Sequence, residues 1–415
     1  MEAVPDKAED YVIRVYPEGA MPPARDWDAL VDGCAEPTPF VRHAYLDALH
    51  ASGSACADTG WASRYLTLWS GDALVAACPL YLKTHSFGEY VFDWAWAEAH
   101  ARAGLRYYPK ALCAVPFTPV PGPRLLARGP AERAALLQAV LQWCRQQRLS
   151  SFHLLFGNED DIAACVQSEL LQRHTIQFHW QNAAPTLAPE GAALPPEGAG
   201  FPLGRPGGET GRAEAFEGFL ATLTQDKRKK IRQERRKVAE AGVTFRHARG
   251  AAITPADWAF FYRCYERTYL EHGNLPYLQP DFFDRMARTQ AEAWVLFIAE
   301  RNGQPIASSL IAVDGEVAYG RYWGALERVD CLHFEACYYQ PIAWCLAEGI
   351  RRFEGGAQGE HKMARALLPV RTSSAHWLAH PGFAQAVERF LDREGDGVQG
   401  YLQHLAARSP LRRPD

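Results

Sequence analysis

Two stretches of this 415-residue chain repeat one another at a constant offset. Trp143-Cys144 is followed by Phe152 and Glu159, and Trp344-Cys345 by Phe353 and Glu360, every pair 201 positions apart (344 − 143 = 201; 360 − 159 = 201). Trp and Cys are scarce residue types, so their joint recurrence carries weight. Upstream, Gly71 to Leu82 resembles Gly303 to Asp314, and Gly88-Glu89 through Trp96 resembles Gly315-Glu316 through Trp323, at drifted offsets that mark loops of different length. A repeat of this kind restricts the chain to two copies of one unit. Each copy reads as strand, turn, strand, strand, helix, strand, which is an α/β pattern of mixed sheets flanked by helices. The first copy is longer between its third strand and its helix, from Ala97 to Arg128, where it holds Arg106-Tyr107-Tyr108-Pro109-Lys110 and a proline-rich run from Pro116 to Pro123.

Composition agrees with two packed domains. Apolar residues make up 48% and charged residues 22%, so the chain is neither disordered nor fibrous. The net charge of −4 provides no overall pull toward nucleic acid or an anionic membrane, so any polyanion site is local. Ten cysteines without a CxxC pair, and a start without a signal peptide, read as reduced thiols in a cytoplasmic protein. No apolar run approaches the length of a membrane span, and the Cys and His spacing fits no structural zinc site, so neither a membrane span nor a metal is expected. Pro and Gly fill 13 of the 30 positions from 183 to 212. The expected organisation is therefore a domain over 1–182, a linker or insertion over 183–212, a second domain over 213–395 with the main site, and a tail over 396–415.

In the second half, Phe216, Phe219, Leu220 and Leu223 recur at helical spacing, and Thr254-Pro255-Ala256-Asp257 caps a helix through Tyr269. Arg301-Asn302-Gly303 is a hairpin turn between two strands. A strand ending in Arg321-Tyr322-Trp323-Gly324 precedes a helix from about His333 to Glu348, kinked or loosened by Pro341 and stopped by Gly349. Then come ten residues, Phe353 to Lys362, that crowd an acid, an amide, an imidazole and a cation around three glycines. Glycines here forgo packing and cost backbone entropy, which suits a close ligand approach or positive φ.

His333-Phe334-Glu335 with Cys337-Tyr338-Tyr339-Gln340, then Glu354-Gly355-Gly356-Ala357-Gln358-Gly359-Glu360-His361-Lys362, then Ser374-Ala375-His376-Trp377, resemble the FemAB-like, peptidoglycan-biosynthesis-type branch of the GNAT N-acyltransferase superfamily, a bacterial group. Gly88 to Trp94 and the run Lys227 to Arg236 are similar to its other signatures. The resemblance spans nearly the whole chain and implies two tandem GNAT-like domains. It also implies a transferase that moves an activated acyl group, from acyl-CoA or aminoacyl-tRNA as co-substrate, to a primary amine, with no tightly bound cofactor. The acceptor would be a small metabolite or a cell-wall precursor. Between Trp323 and Phe334, however, the glycines of a CoA pyrophosphate loop are absent and Ala325 to Asp330 carries two acids, which is unsuited to phosphate.

Transfer to an amine requires a proton acceptor and stabilisation of an oxyanion. Glu360 is the first candidate base and His361 the second. Gln358 and the amides of Gly356 and Gly359 are candidate oxyanion donors, and Tyr338 a proton donor to the leaving group. The competing reading makes Glu360 a structural partner of Lys362 or Arg365, and His361 and His376 satisfied core histidines. Arg321, Tyr322 and Trp323 either clamp a substrate carboxylate or phosphate or plug a strand end. His333, Lys362 and His376 join the substrate-binding candidates, and Glu335 either joins them or complements a helix dipole. Asp93 and Glu89 either face an amine or make structural hydrogen bonds.

Lys227 to Lys237 holds eight cations in eleven positions. It is either a solvated helix face or a phosphate contact, with Lys227, Arg228, Lys230 and Arg232 as the phosphate-binding candidates, for a nucleotide-activated acceptor or a tRNA donor. A non-catalytic GNAT scaffold that binds RNA or another polyanion is the alternative function. The intact Gly-Gly-Ala-Gln-Gly-Glu-His-Lys cluster favours the enzyme.

Overall fold

The computed structural model describes residues 11–182, 208–357 and 359–412, with side chains described from residue 214 in the helix that begins at Gly208. The expected linker over 183–212 lies almost wholly outside the described residues, as does Gln358.

The strands are β1 (Val12–Tyr16), β2 (Trp61–Ser70), β3 (Ala73–Lys83), β4 (Lys110–Cys113), β5 (Leu126–Ala127), β6 (Ser151–Gly157), β7 (Leu171–Gln181), β8 (Val243–Arg249), β9 (Trp294–Arg301), β10 (Gln304–Asp314), β11 (Val317–Ala325), β12 (Arg352–Ala357) and β13 (Leu368–Leu378). The chain divides into two compact units, one of residues 1–175, 277–282 and 372–397, the other of 176–276, 283–371 and 398–415.

In the first unit the order is β1-β2-β3-β4-β6-β13. All neighbours are antiparallel except the parallel pair β4 and β6. The helix Pro130–Gln146 packs Leu137, Val140 and Leu141 against Leu66, Leu80 and Phe152 of the sheet. In the second unit the order is β7-β12-β11-β10-β9-β8, and here too one pair, β11 and β12, is parallel. Phe178, Trp180, Phe297, Ile311 and Phe353 meet Phe219, Leu220 and Ile342 from the helices Gly208–Ala221 and Gln340–Glu348.

The repeat is visible in these two frames. Each parallel pair is joined through a helix that carries the repeated cysteine in its last turn, with Leu149 N–H donating to Cys144 O (3.0 Å) and Ile350 N–H to Cys345 O (2.8 Å). Cys144, Cys345, Phe152 and Phe353 are all buried. The final strands are exchanged: β13, at the end of the second copy, pairs with β6 of the first unit, and β7, at the end of the first copy, pairs with β12 of the second. Ile176 to Trp180 is a strand, as expected, but it belongs to the longer β7 and to the second unit.

Local signals in the second unit hold. Thr254 accepts from Asp257 N–H in a reciprocal capping box, and Asn302 (φ +52°) and Gly303 (φ +74°) form the left-handed hairpin turn between β9 and β10. The helix expected from 333 to 348 is broken. A single turn at Leu332–Phe334 passes into a π-turn at Glu335–Tyr339, and regular helix resumes at Gln340–Glu348 with Pro341 in its first turn and Gly349 left-handed at its end. Proline has no N–H, so the widened turn falls where it cannot contribute a helical bond. The C-terminal helix (Pro381–Ala407) runs through most of the segment expected as a tail.

Candidate functional site

The site in the second unit is assembled where β12 ends. Its last residues, Gly355-Gly356-Ala357, bulge away from β7, with Gly356 at φ +73°, and Gly359 at φ +92° turns the chain into a 3-10 turn over Glu360–Arg365. Side chains rarely adopt such φ values. Lys362, nearly buried, donates through Nζ to the carbonyls of Gly355 (2.6 Å), Gly356 (3.2 Å) and Ala357 (2.8 Å). Burial pulls its pKa down to about 8. Its role is to tie off the glycine strand, so it is no partner for Glu360.

The 3-10 turn presents His361. Its Nε2 lies 3.2 Å from the Tyr338 hydroxyl, and Tyr338 comes from the π-turn. Burial raises the Tyr338 phenol above its ordinary range, so it stays protonated. Burial, then Arg365 and Lys362, hold His361 below the ordinary histidine value, so its imidazole is neutral at pH 7. A Cβ at Gly359 would stand 2.4 Å from His361 Cε1 and 2.7 Å from Nδ1, so the imidazole lies against the glycine main chain in space that any side chain at 359 would take. His333 packs edge-on against Tyr338 and Trp323, and burial lowers its pKa to about 4.

Arg365 braces this arrangement from below. It is 1% exposed, donates to His361 O (2.5 Å) and to Glu234 Oε2 (2.7 Å), and lies 3.6 Å over the Phe334 ring. Glu234 also accepts from Tyr339 and sits on the basic helix (Gln225–Glu240). The helix most charged in the chain is thereby fixed to the π-turn and to the His361 turn at once.

Glu360 lines the same cleft as His361 but has partners of its own. Its carboxylate, 44% exposed, accepts from Tyr401 (2.7 Å) and Arg408 (3.0 Å). The Tyr401 hydroxyl and then Arg408 hold it below the usual carboxylate range. Neither Lys362 nor Arg365 is its partner. Tyr401 and Leu405 lie on one face of the C-terminal helix and Arg408, in the turn just after it, continues their spacing of four and three, a signal present in the sequence. Beyond the helix, Thr224 N–H donates to Pro410 O and Leu223 bridges to Leu411, which pins the start of the basic helix.

These elements enclose a cleft of about 310 Å³ lined by Lys227, Lys230, Glu360, His361, Met363, Ala364, Arg408 and Pro410. Two of the four phosphate-binding candidates therefore share one cleft with the two candidate bases. The other two are occupied: Arg228 donates to the carbonyls of Ala221 (3.3 Å) and Leu223 (3.2 Å), and Arg232 pairs with Glu217 (2.6 Å). Glu335 is buried on a second cleft along the same helix, of about 420 Å³, where it accepts from Arg235 (3.2 Å) and Gln340 (2.7 Å). Burial raises its pKa against the pull of Arg235. Alternation along β11 sends Trp323 to His333, whereas Tyr322 joins Tyr265 and Phe283 and accepts from Arg321 (3.0 Å). The segment after β11 gives its acid Glu327 to Arg301.

His376, Glu89 and Asp93 belong to the first unit. Glu89 and Asp93 both bind Lys110, which is wholly buried, and His376 Nδ1 lies 2.7 Å from His153 Nδ1. Among the described residues no group of three or more His, Cys, Asp or Glu is placed to hold a metal, and no helix is long and apolar enough to cross a membrane.

A mixed sheet with one interior parallel pair, occurring twice, is a tandem GNAT-like fold. The chain belongs to the FemAB-like family, described as peptidoglycan biosynthesis/recognition, whose model matches residues 21–186 and 210–413. No curated protein sequence matches it. Among solved structures it is similar to FemX, at 9% identity and a TM-score of 0.52, covering 89% of this chain and 99% of FemX. It is also similar to L-PGS from Bacillus licheniformis (11%, TM-score 0.48, 89% and 97% covered) and to a tandem GNAT protein from the clavulanic acid biosynthesis pathway (12%, TM-score 0.43, 89% and 99% covered).

Proposed function

We propose that the protein transfers an acyl or aminoacyl group to a primary amine, with a cell-wall precursor as the acceptor class, and that the reaction takes place in the cleft beside His361. The observation that carries this reading is the shared cleft: a neutral imidazole whose Nδ1 has no hydrogen-bond partner among the described residues stands beside Lys227, Lys230 and Arg408. Family membership supports the acceptor class.

In this reading the Tyr338 oxygen accepts from His361 Nε2–H, which fixes the tautomer and leaves Nδ1 to take the proton from the attacking amine. His361 is favoured over Glu360 because Glu360 is already committed to Tyr401 and Arg408 and held to its anionic form, a weak base. The amine nitrogen bonds to the acyl carbon, the donor's oxygen or sulfur leaves with the pair of electrons, and the proton on His361 returns to it. The amides of Gly356 and Gly359 are the proposed oxyanion donors, with Gln358 as a further one from sequence alone. Lys227 and Lys230 are proposed to hold the phosphate-bearing part of the donor, whether acyl-CoA or aminoacyl-tRNA. His333 walls the imidazole and is itself backed by Trp323, while Glu335, Arg321 and Tyr322 are assigned to packing and charge neutralisation.

Incubation with separate pools of acyl-CoA and of aminoacyl-tRNA, with amine-bearing peptidoglycan precursors as acceptors, tests the reading by mass spectrometry. The expected result is a precursor heavier by one acyl group from one pool. No product from either, with RNA bound equally well by the His361→Asn variant, would favour the polyanion-binding scaffold instead.

A further inference from the structure

The segment from Ser86 to Trp94 in the first unit is built inside out. Ser86, Glu89 and Asp93 are buried at 3–4% exposure, while Phe87 (57%), Tyr90 (37%), Phe92 (57%) and Trp94 (41%) face outward. Ordinary patterning places aromatics inside and carboxylates in water. Here Lys110 secures the inversion, donating to Ser86 Oγ (2.8 Å), Glu89 Oε2 (2.8 Å) and Asp93. Tyr107 adds a bond to Asp93 (2.5 Å). Burying two carboxylates and an ammonium is costly even when they pair, so the cluster is a poor source of stability and a good means of fixing an orientation. The backbone is constrained to the same end. Tyr90 has a left-handed φ of +62°, and a Cβ at Gly88 (φ +79°) would meet the Phe117 ring at 2.6 Å.

We infer that this aromatic tip docks the protein on the surface of an anionic lipid bilayer. Four aromatic side chains, each about half exposed, present on the order of 300–500 Å², well below the roughly 800 Å² per partner of a stable protein interface. A bilayer interface sets no such minimum, and Trp, Tyr and Phe partition to it individually. The charge beside the tip has the matching sign. The helix that starts at Trp94 and the turn after it expose Arg102, Arg106 and Glu98; Arg102 pairs with Glu98 (3.6 Å), which leaves a net single positive charge, at Arg106, beside the tip.

Co-sedimentation of the full chain with phosphatidylglycerol-containing vesicles and with neutral phosphatidylcholine vesicles tests this. The wild type should sediment with the anionic vesicles. Phe87→Ser/Phe92→Ser/Trp94→Ser should lower the partition coefficient about tenfold or more at an unchanged melting temperature. Arg102→Gln/Arg106→Gln, which leaves the buried cluster untouched, should lower binding to anionic vesicles only and remove its salt dependence. Equal sedimentation of wild type and the triple variant would overturn the inference, as would a wild-type dimer in solution that the triple variant abolishes.

Discussion

Replacing Arg365 by Met tests how the His361 turn is held. Arg365 is buried with a 2.7 Å bond to Glu234, whose side chain is 9% exposed. Its removal leaves a buried carboxylate with Tyr339 as its one remaining hydrogen-bond donor among the described residues. Breaking one side of such a pair costs about 3–5 kcal/mol, whereas replacing both members by apolar groups of similar volume is close to neutral. For a unit of roughly 200 residues that corresponds to a fall in melting temperature of about 6 °C or more. The double variant Glu234→Met/Arg365→Met should recover most of the loss, because no buried charge remains unpaired. It should not recover transfer activity, because the bond to His361 O that sets the imidazole's height is still missing. The assay is chemical unfolding of wild type, both single variants and the double, read as a cycle. A loss under about 1 kcal/mol for Arg365→Met, or a double variant no more stable than it, would refute the reasoning.

Two further outcomes follow from the same geometry. Burial lowers His179 to about 3 and His333 to about 4, so below the ordinary value near 6.5 the unfolded chain takes up protons that the folded unit refuses. These histidines leave stability flat above pH 6.5 and lower it as pH falls toward 4, by up to roughly 1.4 kcal/mol per pH unit each. Thermal melts of the wild type and of His179→Asn/His333→Asn check this; an equally steep acid loss in the variant would contradict it. Neutralising Lys227 and Lys230 should weaken binding of CoA or tRNA, whichever is the donor, by about tenfold or more and flatten its salt dependence, whereas Arg232→Gln should change it less than threefold. Calorimetry at two salt concentrations reads both, and an equal effect from Arg232→Gln would show that the cleft is not the phosphate site.

Much of the frame was legible because local chemistry and the fold agree. The Trp-Cys repeat marks two helices with matching ends, the Thr254 box and the Asn302-Gly303 turn form as their residues demand, and Pro341 sits beside the widened turn. What the sequence concealed depends on non-local pairing. Nothing local tells β7 and β13 to complete one another's sheets, and a charge run does not reveal that Arg228 and Arg232 are spent on carbonyls and Glu217 while Lys227 and Lys230 face a cleft. Glu360 has the residue type of a base, but its partners, Tyr401 and Arg408, are supplied by the last helix and the turn after it, more than forty residues away in a segment that reads as a tail. The sequence leaves Glu89 and Asp93 open between an amine contact and structural hydrogen bonds, and their shared partner Lys110 is hidden for the opposite reason. The two carboxylates lie in a segment whose aromatics alone have the composition of a core.

The central claim, that His361 and not Glu360 takes the proton in this cleft, is tested most directly by single-turnover transfer rates of wild type, His361→Asn and Glu360→Gln at saturating donor. His361→Asn should fall by roughly 100-fold or more, the range for losing a general base. The wild-type rate should rise with pH through an inflection below the ordinary histidine value, and Glu360→Gln should stay within about threefold of wild type with that inflection unmoved. A His361→Asn rate equal to wild type, or a 100-fold loss confined to Glu360→Gln, would contradict the account.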